Sequence, residues 1–265
     1  MPGAMGPWTG GSFQGAQCVL AGNPGPMTLD GTNTWLLEID DESVVLVDPG
    51  PDDLDHLSAV RVALGDRWVR DIVLTHGHLD HSAGARLFSE TLDAQVRALD
   101  LQLGHERLAP GQVLVHGDVE VHVVATPGHT ADSVSLHLPG AQAILTGDTI
   151  LGRGTTVVAH PDGRLADYLD SLRRLRDLVG AVGVTQVWPG HGPALPDASA
   201  VVEAYLDHRQ QRLDEVACAA AELPVGPGLP RAVVERVYAD VPRMLWPAAE
   251  LSVRAQLEYL GLMRQ

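Results

Sequence analysis

Apolar residues along this chain recur with two periods, and the switching between them lays out the elements. Short apolar runs bounded by turn residues predict strands over 17–21, 34–39, 44–47, 71–74, 95–98, 143–145 and 184–187. In 119–125 and 133–138 apolar and polar residues alternate, which predicts two further strands with His122 and His137 as outer-face or hydrogen-bonded residues. Spacing of three and four takes over elsewhere. Leu54, Leu57, Val60 and Leu64 predict a helix over 52–64 with acids in its first turn, and His56 reads as one of its surface residues. A second helix is expected over 85–92. Leu169, Leu172, Leu175 and Val179 give an amphipathic third over 167–179, with Arg173, Arg174 and Arg176 on the solvated face and Gly180 and Gly183 closing it. The stretch 101–117 has no clear period and reads as loop or helix, so its His105, Glu106 and His116 are not taken as ligands.

After Pro196 the strand pattern stops. Residues 197–221 form one long helical stretch with Asp197 as a candidate N-cap. Pro224 to Gly228 break it, and two further helices are expected over 230–239 and 247–260. The division expected is a loose arm over 1–14, an α/β domain over 15–195 and a small helical subdomain over 196–265 that covers or borders the active-site cleft. The tail is also a candidate dimerisation element.

The chemistry concentrates in Thr75-His76-Gly77-His78-Leu79-Asp80-His81, directly after the apolar run 71–74. Side chains two apart on extended backbone project to one side, so His76 and His78 converge. Gly77 allows a tight turn, and Asp80 and His81 swing back from the first turn of a helix. Four potential ligands in six residues can hold two cations, provided that other segments supply more. His129 in Thr126-Pro127-Gly128-His129, Asp148 in Gly147-Asp148 and His191 in Gly190-His191 each follow an apolar run and read as ligands at strand ends.

The order His-x-His-x-Asp-His, Pro-Gly-His, Gly-Asp, Gly-His resembles the metallo-β-lactamase superfamily over roughly residues 15–195. The resemblance implies a four-layer αβ/βα sandwich in the α/β class. It implies one metal on His76, His78 and His129, a second on Asp80, His81 and His191, and Asp148 between them. Zinc is expected from the ligand types, with iron or manganese tolerated. The runs from Asn23 to Trp35 and from Gly147 to Thr156, with Tyr205-Leu206-Asp207-His208-Arg209, are similar to the mitochondrial β-lactamase-like endoribonuclease and its bacterial relatives. That similarity implies a winged-helix-like tail and cleavage of single-stranded RNA.

Charge changes this picture. The net charge is −16, and all 18 basic residues are Arg. A strand of RNA asks for several cations along its path. The favoured expectation is therefore a hydroxide bridging two zinc ions and attacking a small anionic ester or thioester, with Asp80 and Asp148 as the catalytic carboxylates. Arg153, beside the Gly-Asp motif, is expected to bind the substrate's anionic group, and His160 is a weaker candidate proton donor. RNA hydrolysis is the first alternative and a non-catalytic metal-binding protein the second. No apolar run is long enough for a membrane span, no secretory signal is visible, and Cys18 and Cys218 form no disulfide framework and read as small apolar residues. These features place the expected protein in the cytoplasm, with a small-molecule substrate, no membrane partner and a possible homodimer.

Overall fold

The structure is a computed structural model, and it describes residues 7–158 and 160–263. Two sheets face each other. The first contains β1 (Gly11–Phe13), β2 (Ala16–Leu20), β3 (Asn33–Glu38), β4 (Ser43–Val47), β5 (Trp68–Val73), β6 (Gln95–Ala98) and β7 (Glu106–Arg107), in that spatial order. The second runs β13 (Leu195–Pro196), β12 (Gln186–Pro189), β11 (Ala143–Gly147), β10 (Val134–Leu138), β9 (Val119–Ala125), β8 (Val113–His116). Strand β4 reads as a nearly unbroken apolar run because both of its faces are covered. Trp35, Leu37, Val45, Val47 and Val73 point inward against Val121, Leu136, Leu145 and Trp188 of the opposite sheet. At the centre the Trp35 and Trp188 rings stack 5.0 Å apart. The alternate residues Leu36, Val44, Leu46 and Ile72 point outward, under α1 (Leu54–Leu64) and α3 (Ala85–Leu92).

On the far side Ile144 and Val187 meet α4 (Leu165–Val182) and α5 (Ala198–Ala221), which completes four layers. Local chemistry sets the helix ends. Asp53 accepts from the Asp55 amide at 2.8 Å to start α1, and Asp197 accepts from the Ala200 amide at 3.1 Å to start α5. Gly183, at φ 72°, ends α4. The far end of α5 packs with α6 (Leu229–Val237) and α7 (Trp246–Tyr259) around Val216, Val233 and Val253. No helix among the described residues is long and apolar enough to cross a membrane.

Four expectations are corrected. The arm over 1–14 is not loose from Trp8 onward: β1 pairs with β2, and Phe13 packs on Trp35 and Trp188 with ring centres 5.3 and 5.5 Å away. Its first six residues lie outside the described ones. The stretch 101–117 holds β7 and β8, edge strands whose pairing comes from neighbours and not from their own apolar pattern. His56 is buried, 2.8 Å from the Thr34 hydroxyl and against Phe88. Cys218 is exposed, whereas Cys18 is buried as expected.

Candidate metal centre

All the motif residues arrive at one end of the two sheets. His76 and His78 follow β5, and Asp80 and His81 sit on α2 (Leu79–Ser82), a single turn. His129 follows β9, Asp148 follows β11 and His191 follows β12. Gly77 sits close to neighbouring side chains, an added Cβ lying 2.8 Å from Leu103 Cδ1, and its backbone is not left-handed, contrary to the expected tight turn. Gly128 is constrained twice, by φ 134° and by a Tyr168 backbone 2.3 Å from where its Cβ would be. That close approach seats the His129 loop on α4.

Three imidazoles form one group. His78 Nδ1 lies 3.1 Å from His76 Nε2 and 3.0 Å from His129 Nε2. Asp80, His81 and His191 form another, with the His81 and His191 Nε2 atoms 3.1 Å apart and Asp80 Oδ2 3.1 Å from His191 Nε2. Asp148 touches both: its carboxylate lies 3.4 Å from His81, 3.5 Å from His191 and 3.7 Å from His129.

The remaining ring nitrogens show that these clusters are built for cations. His129 Nδ1–H donates to the Val157 carbonyl at 2.6 Å, and His191 Nδ1–H donates to the Gly31 carbonyl at 3.0 Å. His81 Nδ1–H donates to Asp48 at 2.9 Å. His76 Nδ1–H donates to Thr75 Oγ1 at 3.1 Å, and that hydroxyl donates onward to Asp48 at 2.7 Å. In His76 and His129, with Nδ1 carrying the proton, the neutral ring leaves a lone pair on Nε2, and His81 and His191 offer the same lone pair once a cation displaces the second proton that the neighbouring acids draw onto them. Lone pairs facing each other at about 3 Å repel, and a cation between them removes the conflict. Asp148 Oδ1 is buried without a hydrogen-bond partner, as a metal-facing oxygen would be. The donor set, nitrogen and carboxylate oxygen, suits a divalent transition metal.

Electrostatics separates the two clusters. Burial holds His129 down to about 4 and His76 well below its ordinary value, so both rings are neutral. Burial opposes charge on His191 too, but the Asp148 carboxylate raises it to about 9. His81 is likewise raised against its burial, by Asp148 and Asp48. Burial would raise Asp148, but His191 and His81 hold it well below the carboxylate range.

Two expected residues sit differently. Arg153 lines the adjoining cavity but is already ion-paired with Asp30 and about half exposed. His160 donates to Glu258 of α7 at 3.1 Å, a contact between loop and tail. Of the other histidines, His122 pairs with Glu120 at 2.9 Å and its ring lies 5.4 Å from that of His137 on the second sheet, as expected of non-ligands. Sequence reasoning missed Asp48 and Thr75 as the groups that orient His76 and His81. Asp48 also follows a parallel strand, β4, and that strand-end position was the available signal.

A two-sheet sandwich that gathers five imidazoles and two aspartates at one end carries the donor set of a metal-dependent hydrolase. Residues 27–191 match the metallo-beta-lactamase superfamily, and residues 230–261 match the beta-lactamase associated winged helix domain. The chain belongs to the metallo-beta-lactamase superfamily and is a metal-dependent hydrolase of that kind. It is 35% identical over 254 residues to a beta-lactamase-like protein 2 homolog of Caenorhabditis elegans, covering 91% of this chain and 82% of that one. It is also 35% identical over 205 residues to an atrochrysone carboxyl ACP thioesterase of Aspergillus fumigatus, covering 75% of this chain but only 62% of that one. A solved beta-lactamase domain protein from Burkholderia ambifaria shares the fold at a TM-score of 0.78, with 24% identity and 98% and 91% of the two chains covered.

Proposed function

We propose that this chain hydrolyses a small anionic ester or thioester with two zinc ions, iron or manganese being the alternatives. One ion would be held by His76, His78 and His129 and the other by Asp80, His81 and His191, with Asp148 reaching both. The observation that carries the substrate class is a cavity of about 330 Å³ that borders His129 and Asp148. Its walls include Met27, Leu29, Leu151 and Val157 from the sandwich and Leu245 and Ala249 from the tail. Its size and apolar walls suit an acyl group. The thioesterase name of the fungal relative supports the same class.

When bound, the cations would acidify a water molecule and polarise the scissile carbonyl oxygen. The chain's own residues do the rest. The Val157, Gly31 and Asp48 acceptors fix the tautomers of His129, His191 and His81, so each presents Nε2 to the cleft. Asp80, 29% exposed in its side chain, is the more open of the two carboxylates and the one placed to pass a proton to solvent. The apolar walls exclude water from the acyl side. RNA cleavage is disfavoured because a strand of RNA asks for several cations, and two of the three arginines lining the cavity are already paired, Arg153 with Asp30 and Arg212 with Glu215.

The test is turnover of zinc-loaded protein on thioesters, esters and a short single-stranded RNA, with Asp148→Ala as control. Thioester or ester hydrolysis that vanishes in the control is expected. RNA cutting that vanishes in the control, with no acyl turnover, would replace this reading.

A further inference from the structure

Arg209 is a buried cation that meets no anion among the described residues. It lies on α5, 3% exposed, in the wall of the cavity that also holds Asp148. One terminal nitrogen donates to the Thr156 carbonyl, and the guanidinium lies 4.7 Å over the Tyr168 ring. Its Nε is buried with no hydrogen-bond partner. Among the described residues no carboxylate forms an ion pair with it, whereas Arg153, Arg212 and Arg254 all have one. A second orphan sits beside it: His208 lines the same cavity, and its Nδ1 is also buried and partnerless. Burying a guanidinium without a counter-charge is costly, and two unpaired polar groups on one cavity wall are more costly still. A carbonyl and a ring face anchor Arg209, but neither supplies the missing charge.

Building on the thioester reading, we propose that Arg209 and His208 form the anion subsite, and that the substrate is an acyl chain ending in a carboxylate. The apolar wall then accepts the methylenes, the thioester carbonyl faces the metal cleft, and the terminal carboxylate reaches α5. A single free guanidinium matches one unit of negative charge, which a carboxylate carries and a phosphate monoester, at about −1.5 to −2, exceeds. This places anion recognition on the tail helix and relieves Arg153, whose charge Asp30 already meets. The wall also fits the tail's place over the cleft: without α5 the cavity would keep only Arg153 as a cation, and Asp30 already meets that charge.

Matched N-acetylcysteamine thioesters test it: glutaryl, ending in a carboxylate, against pentanoyl, its uncharged counterpart, and a phosphate-ended analogue of the same length. Zinc-loaded protein is expected to favour glutaryl over pentanoyl by about 10- to 100-fold in kcat/KM, mostly through KM, and to favour it over the phosphate analogue. In Arg209→Gln the glutaryl-to-pentanoyl ratio should fall to near one, and in His208→Gln it should fall partway. The ratio is read within each variant, so a loss of folded protein does not mimic it. If Arg209→Gln does not fold, the wild-type ratio and His208→Gln decide. Equal rates on glutaryl and pentanoyl in the wild type overturn the subsite while leaving thioester hydrolysis standing. A preference for the phosphate analogue overturns the carboxylate assignment. A preference that survives both substitutions overturns the residues. Hydrolysis of none of the thioesters defeats the thioester reading itself, and this inference with it.

Discussion

The two halves of the metal cradle are built from similar residues and yet differ in charge. The half made by His76, His78 and His129 is all imidazole, and burial keeps His76 and His129 neutral. The half made by Asp80, His81 and His191 mixes imidazole with carboxylate, and the acids around it draw protons onto His81 and His191. The first is therefore ready for a cation as it stands. The second, when free, is held together by protons that a cation must displace. The comparison teaches that ligand type alone does not describe a binding site; the counter-charge behind each ligand sets what a metal has to compete with.

The heaviest blow to this contrast falls on the one residue both halves share. Asp148→Asn is expected to lower hydrolysis by more than about 100-fold, beyond the roughly 10- to 100-fold typical of outer-shell partners. Metal analysis should find the two-metal stoichiometry lost. A variant that keeps two metals and full activity would show that Asp148 does not join the halves.

A smaller effect is expected from Asp48→Asn. Asp48 accepts directly from His81 but reaches His76 only through Thr75. Chelator competition should show a metal affinity about 10- to 100-fold weaker, with the Asp80–His81–His191 half emptied first. Loss of both metals in step would mean that the halves are not separately supported.

The smallest effect is in protons. His191, raised to about 9, and His81, also raised, carry protons at pH 7 in the metal-free protein, because a group is protonated below its pKa. Filling their half must release those protons, so its affinity falls as pH drops below about 9. His129, held at about 4, is already neutral at pH 7, so it releases no proton when its half fills. Calorimetry in two buffers of different ionisation enthalpy counts the protons. Equal release for both metals would erase the distinction.

Much of this was legible in the sequence, for a physical reason. A ligand at a strand end leaves two marks that sit side by side: an apolar run and a polar residue after it. His76, His129, Asp148 and His191 all carry both, and the structure brings them together. Asp48 carries the same marks after Val47, but a lone aspartate before Pro49-Gly50 reads equally well as a turn residue. Its role depends on β4 lying beside β5, which is a tertiary fact. The edge strand β7 was hidden because both its residues, Glu106 and Arg107, are exposed, and β8 because Leu114 alone of its four residues is buried. His56 was misplaced because its partner, Thr34, comes from a different element. Arg209 lay within a quoted motif, but an unmet charge becomes visible only when its surroundings are known.

Asn33 ties the first half of the chain to the loop that carries His191. Its amide nitrogen donates to Pro189 O at 2.9 Å and Gly192 O at 2.8 Å, across sequence separations of 156 and 159 residues. Its Oδ1 accepts from the Trp8 indole at 2.8 Å. Closing so long a loop costs entropy before the bond returns anything, so such joints form late. During synthesis, the three-imidazole cluster has all its ligands once residue 129 has emerged. The mixed cluster must wait for residue 191 and for the Asn33 joint that seats it. Were each cluster to hold a metal, the order of uptake would follow the order in which the ribosome delivers the ligands, and retention of the second metal would report that the sandwich has closed.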